Sequence, residues 1–239
     1  MYIPWIMSCM QASALSIKER YGSLNLLINA AGILSIPNVL QPETTLSKLQ
    51  KSSLLLTYEV NTVGPIMVIK DCPLFDTTTD FVNVDQHMWP LLKMGGDSGT
   101  ERNSAVVANI SARVSSIGDN CLGGWHSYRS SKTALNQCTS HFLCYFIELL
   151  SYFHFYARSN KDHFGGICTK EGSHSLHTPP TRHSRGVDTD LSKPFQRNVL
   201  QDKLFTKEFS LQKLLGIIDS VKSMDNGKFF AWDGQEIPW

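Results

Sequence analysis

Apolar positions along this chain fall into short continuous runs separated by longer stretches with a helical period. Leu24 to Asn29 (LNLLIN) is an apolar run lying between Gly22 and Gly32. Ala105 to Ser111 (AVVANIS) is a second. Runs of this length without polar alternation suit strands buried on both faces, as in a parallel sheet. Gln11 to Tyr21 reads as the end of a helix, and Gly22 stops it in the usual C-terminal role of glycine. Pro42 to Val63 has a helical pattern, with Pro42, Thr44 and Thr45 marking its start. Tyr128 to about Phe146 is helical. Ser210 is placed to cap a helix whose Leu211, Leu214, Leu215, Ile218 and Val221 share one face. Gly227 to Trp232 is a last strand, closed by the turn at Asp233-Gly234. Strands alternating with helices predict one α/β domain over residues 1–239.

Composition narrows the function classes. At 239 residues and 42% hydrophobic, the chain can bury a substantial core. A net charge of +1 without a basic run gives no electrostatic footprint for nucleic acid. The six cysteines include no Cys-x-x-Cys spacing, so they read as reduced thiols of a cytoplasmic protein. The apolar start MYIPWIMSCM lacks a basic leader region. Phe142 to Ala157 is apolar and aromatic but short for a membrane span, and it contains Glu148 and His154. His174, His177 and His183 lie in a Pro-rich stretch with no ligating cysteine or carboxylate arranged around them, so no metal site is expected.

Candidate chemistry centres on SYRSSKTALNQ. Tyr128 and Lys132 are four residues apart, which on a helix places both on one face. An ammonium near a phenol stabilises the phenolate and draws the tyrosine pKa downward. Such a tyrosine can protonate a carbonyl oxygen while hydride arrives from a nicotinamide. Alone, Tyr-x-x-x-Lys recurs by chance on helix surfaces. Its context here is specific: strand then Asn29-Ala30-Ala31-Gly32, helix with Asn61 in YEVNTVG, strand ending Asn109-Ile110-Ser111, then the tyrosine helix.

In that order of motifs the chain resembles the short-chain dehydrogenase/reductase family. The likeness is nearest to plant members of the group related to C-factor and the sniffer-type carbonyl reductases. It is carried by SLNLLINAAGILSIPNVLQPETTL, YEVNTVGP, SARVSSIGDNCLGGWHSYRSSKTALNQ, VDTDLSKPFQRN and the C-terminal KLFTKEFSLQKLLGIIDSVK and DNGKFFAWDGQEIPW. The resemblance implies NAD(P)-dependent reduction of a small carbonyl or oxidation of an alcohol. It makes Tyr128 the acid/base and Lys132 its electrostatic partner, which also touches the nicotinamide ribose. Asn61 would hold a water in a proton relay. Asn29, Ala30 and Gly32 would form the cofactor wall, and a helix-to-helix dimer surface is implied. Asn29 and Asn61 also have a structural reading, as turn and helix-end amides.

The sequence departs from the family at several points. The family ends its second strand with two serines, of which the second is catalytic; here the pair is Ser111-Ala112. Ser111 is the first substitute, with Ser115 and Ser116 nearby, and all three also suit plain loop bonding. No Thr-Gly-x-x-x-Gly-x-Gly turn precedes Asn29, so the fold expected is an incomplete Rossmann-type doubly wound parallel sheet lacking its first strands and its pyrophosphate cradle. Cofactor choice cannot be read, and NAD(P) binding is expected from the family alone. Residues 71–86 and 138–185 look inserted or frame-shifted. Codons for Lys161 to Ser184, read one nucleotide later, can encode a helix end, an apolar strand and a Pro-Gly loop, which suggests retained intron sequence. The expectation is thus an oxidoreductase by descent, inactive as this polypeptide, with a catalytically dead partner of a full-length relative as the alternative. A plastid location enters only if a targeting peptide has been lost.

Overall fold

The computed structural model describes residues 3–69, 88–96, 104–120, 123–146, 150–156, 186–193 and 204–239. Residues 71–86, read as an insertion, Lys161 to Ser184, read as frame-shifted, and the three histidines 174, 177 and 183 lie outside them. The elements run α1 (Ile3–Tyr21), β1 (Leu26–Asn29), α2 (Lys51–Tyr58), a π-helical turn (Glu59–Val63), α3 (Gly64–Ile69), α4 (Trp89–Lys93), β2 (Ala105–Ser111), α5 (His126–Phe146), β3 (Leu150–Tyr156), β4 (Gly186–Val187), β5 (Leu204–Phe205), α6 (Lys207–Ser220) and β6 (Phe229–Phe230).

The main sheet has the order β1-β2-β3-β6, with every pairing parallel. Residues of β2 alternate between its two faces. Ala105 and Val107 pack with Ala14, Ile69 and the buried Trp89, Leu91 and Leu92 of α4. Val106 and Ala108 face the other way, onto Ile218 and the partly buried Leu214 and Ile217 of α6 and Val221 just after it. Helices therefore cover both faces, which is why β2 is apolar at consecutive positions. Each valine, leucine or isoleucine among them, fully buried, contributes about 1.5–3 kcal/mol. A separate parallel pair joins β4 to β5.

Gly22, at φ 74, ends α1, and its N–H bonds the Lys18 carbonyl at 3.1 Å. Gly234, at φ 83, makes the turn after β6. Two helix starts and one helix face differ from expectation in ways the packing explains. The helix expected from Pro42 begins at Lys51, because Glu43 is engaged with the start of α5. The cap of α6 is Thr206, whose side chain accepts from the Phe209 N–H, and Ser210 lies inside the helix. Leu211 and Leu215 of that helix are exposed, and Ile217 takes their place against the sheet.

Within residues 138–185, the described part continues α5 to Phe146 and supplies β3, which pairs along its length with β2 and reaches β6 at His154 and Phe155. LSYFHFY is rich in aromatic residues of high strand propensity. Of the apolar run Phe142 to Ala157, residues 142–146 belong to α5 and 150–156 to β3. By length and composition alone, the helical stretch Lys51–Ile69 could cross a membrane; in the fold, α2 and the π turn lie along α5, with Thr57, Asn61 and Thr62 buried.

Candidate active site

Every sequence-derived candidate sits at the carboxyl end of β1 and β2 or on the helices flanking that end. Ligands of open α/β sheets bind there. β1 delivers Asn29, and the chain then leaves through exposed Ala30, Ala31 and Gly32. Asn29 stands opposite Asn109 in the parallel register. Its Nδ2 donates to Asn109 Oδ1 at 2.7 Å, and Asn109 Nδ2 donates to Thr139 Oγ1 at 2.9 Å. Asn29 therefore ties two strand ends to α5, in agreement with its structural reading.

Asn61 lies in the π-helical turn and is 0% exposed. A π turn displaces one residue from the regular ladder and is often found at functional sites. The Asn61 amide clasps the loop after Gly32: Oδ1 accepts from the Ile33 N–H at 2.7 Å, and Nδ2 donates to the Ile33 carbonyl at 2.9 Å. It also donates to Ser131 Oγ at 3.1 Å, while Thr62 Oγ1 donates to the Ser131 carbonyl at 2.7 Å. The turn is thereby fastened to α5 one residue before Lys132.

Lys132 is 3% exposed, and its Nζ donates to the Ile110 carbonyl at 2.8 Å. Burial lowers its pKa to about 8, because removing the ammonium from water penalises its charge. Gly32 has no room for a side chain: a Cβ there would stand 3.2 Å from Lys132 Nζ and 3.3 Å from Asn61 Oδ1. Three of the expected cofactor and catalytic positions thus converge, and the glycine is needed for close approach.

Tyr128, on the first turn of α5, is 6% exposed. Among the described residues it packs with Leu34, Ala112, Trp125, Phe229, Ala231 and Ile237. The Trp125 ring meets it edge-on, with centroids 6.1 Å apart and planes at 90°, a favourable aromatic arrangement. Burial pushes the phenol pKa well above its usual value. That is opposite to the lowering expected from Lys132 and leaves the hydroxyl protonated, the form a proton donor needs.

The serines are otherwise employed. Ser111 Oγ donates to Asn136 Oδ1 at 2.5 Å, Ser115 Oγ donates to the Ala112 carbonyl, and Ser116 Oγ donates to the Pro238 carbonyl. Asn136 Nδ2 in turn donates to Ser115 Oγ. No hydrogen bond joins any of them to Tyr128 among the described residues, and the position packed with Tyr128 after β2 is Ala112. Two residues went unnoticed in the sequence. Glu43 is 84 positions from its partner Ser127, a separation that leaves no local signal. Trp125 follows Gly123-Gly124, and that glycine pair was the available hint of a tight turn.

The residues present fit the ribose and nicotinamide end of a dinucleotide: an ammonium, an amide and exposed backbone converge on a glycine cradle. Ahead of β1, Gly22 is the sole glycine among residues 1–25, and it terminates α1. These residues supply no glycine-rich turn between a strand and a helix for the pyrophosphate.

Comparison with known proteins agrees with this architecture. No family model matches the chain. It is 25% identical over 229 residues to 1-hydroxy-2-glutathionyl-2-methyl-3-butene dehydrogenase of Rhodococcus sp. (strain AD45), covering 96% of this chain and 74% of that protein. It is 23% identical over 218 residues to C-signal of Myxococcus xanthus, covering 91% and 94%. Among solved structures, the NADPH-bound carbonyl reductase from chicken fatty liver superposes with a TM-score of 0.67 at 23% identity, over 98% of this chain and 73% of that one. The carbonyl reductase Sniffer of D. melanogaster gives 0.67 at 20% identity, over 98% and 74%. None of these four is from a plant, so the expected plant affinity finds no support in them.

Proposed function

From the chain's resemblance to the sniffer-like carbonyl reductases of the short-chain dehydrogenase/reductase family, which extends over most of its length, we propose that it carries an NAD(P)-dependent oxidoreductase centre for a small carbonyl or alcohol. The observation that carries this reading is the convergence of Lys132, Asn61 and Gly32 beside the helix that bears Tyr128. Tyr128 holds its proton at the phenol oxygen and gives it to the carbonyl oxygen in reduction. The Lys132 ammonium, largely protonated at neutral pH, offsets the negative charge this leaves on Tyr128. Lys132 and the Ala30–Gly32 backbone would hold the nicotinamide-ribose side of the dinucleotide, with Asn61 fixing the loop after Gly32; the dinucleotide would supply hydride when bound. Apolar Leu34, Trp125 and Phe229 exclude water around the phenol.

Position 112 weakens the centre. Ala112 cannot donate to a developing oxyanion, and loss of one such donor costs about 10²–10³ in turnover. Slow carbonyl-dependent oxidation of NADPH or NADH, abolished in Tyr128→Phe, is the expected result with an aromatic aldehyde such as 4-nitrobenzaldehyde. Equal rates in the protein and in Tyr128→Phe would overturn the proposal. A second reading, an inactive chain paired with a full-length relative, draws on Leu55 and Val63, which are exposed on the helical stretch beside α5. It predicts no nucleotide binding, together with co-purification of that relative.

A further inference from the structure

Glu43 belongs to the connection between β1 and α2, yet it is 4% exposed. Its carboxylate accepts from the Ser127 hydroxyl and from the Ser127 N–H at 3.3 Å. Its own carbonyl accepts the Trp125 N–H at 2.5 Å. The first N–H groups of a helix lack partners within it, and a carboxylate there is favoured by the helix dipole. Capping accounts for the Ser127 bonds but not for what lies just before the helix.

Trp125 has φ 55, a left-handed conformation that is unfavourable for so bulky a residue. Gly124 before it has φ 75, and a Cβ there would stand 3.2 Å from the Glu43 carbonyl oxygen. The backbone of 124–125 is thus pressed against Glu43 and hydrogen-bonded to it. Backbone strain of this kind persists only where surrounding bonds over-determine it. The conformation sets the Trp125 ring edge-on against Tyr128.

We propose that Glu43 is a positioning residue: it holds the left-handed Gly124–Trp125 turn, and through it the Trp125 edge that orients Tyr128 and keeps water from its ring. The assignment rests on the reading of Tyr128 as proton donor, but its test separates the two. The near-UV circular dichroism of the Trp125–Tyr128 pair is isolated as the difference between the protein and Tyr128→Phe. In the Glu43→Ala background, the same Tyr128→Phe difference should lose at least half its amplitude. The far-UV spectrum should stay the same. Turnover with 4-nitrobenzaldehyde should fall 10-fold or more while the KM for NADPH changes less than 2-fold. Glu43→Gln keeps an oxygen that accepts from Ser127, so it should retain most of both signals. Ser127→Ala, which removes the hydroxyl from the other side, should show a weaker form of the Glu43→Ala effect, and it decides the matter if Glu43→Ala does not fold. Unchanged dichroism and unchanged kcat in a folded Glu43→Ala or Ser127→Ala protein would overturn the proposal. A parent protein without carbonyl-dependent turnover would instead refute the oxidoreductase reading, and the dichroism would still decide the role of Glu43.

Discussion

Replacing Lys132 by methionine should stabilise the fold at neutral pH and remove a pH dependence that the native chain possesses. The Lys132 pKa falls from an ordinary 10.5 to about 8 because the ammonium is buried. The folded value lies below the unfolded one, so the unfolded chain binds the proton more tightly. The penalty is complete below about pH 8 and is relieved as pH climbs toward 10.5. A difference of roughly 2.5 units at about 1.4 kcal/mol each corresponds to about 3.5 kcal/mol. The bond from Nζ to the Ile110 carbonyl returns about 1 kcal/mol, and a neutral amine can still make it. Methionine has a similar length and no charge, so Lys132→Met should be about 2.5 kcal/mol more stable at pH 7. The advantage should vanish and turn slightly negative near pH 10.5. Urea unfolding of both proteins at pH 7 and at pH 10 reads this directly, because groups common to both cancel in the comparison. A gap that is the same at both pH values, or that grows with pH, would refute the argument that burial dominates at Lys132.

Ala112→Ser should raise turnover about 10²–10³-fold, through a hydroxyl placed in the cluster that holds Tyr128; an unchanged kcat in steady-state assays would show that position 112 does not face the reacting oxygen. Ile218→Ala removes a side chain of 0% exposure between α6 and the sheet and should cost about 2–5 kcal/mol in urea unfolding. Asn29→Ala leaves Asn109 Oδ1 buried without its 2.7 Å donor and should cost about 1–3 kcal/mol by the same assay.

Much of this arrangement was legible in the chain. Ala105 to Ser111 has the bounds read from its apolar run, because a strand buried on both faces needs no polar alternation. Gly32, Asn61 and Lys132, far apart in sequence, lie together in the structure, while Asn29 bonds Asn109 across the strand ends. What escaped depended on contacts between distant segments. Glu43 holds residues 41–45 away from a helical path, so Pro42 and Thr44 marked a start that the chain does not take. Thr206, and not Ser210, caps α6, and Thr206 Oγ1 lies 3.1 Å from the Phe209 nitrogen. The β3 strand hid in an aromatic run whose period does not distinguish helix from strand. The direction of the Tyr128 pKa was misjudged because four-residue spacing carries no information about burial.

In the proposed reaction, Tyr128 gives its proton to a carbonyl oxygen whose carbon takes hydride from the dinucleotide. The most direct measurement follows label from NADPH deuterated at the transferred position of C4, testing each of its two faces, into the alcohol formed from 4-nitrobenzaldehyde, read by mass spectrometry. The account predicts one deuterium on the alcohol carbon with one of the two labels, and no labelled product from Tyr128→Phe. Unlabelled product with both, or labelled product at the same rate from Tyr128→Phe, would contradict it.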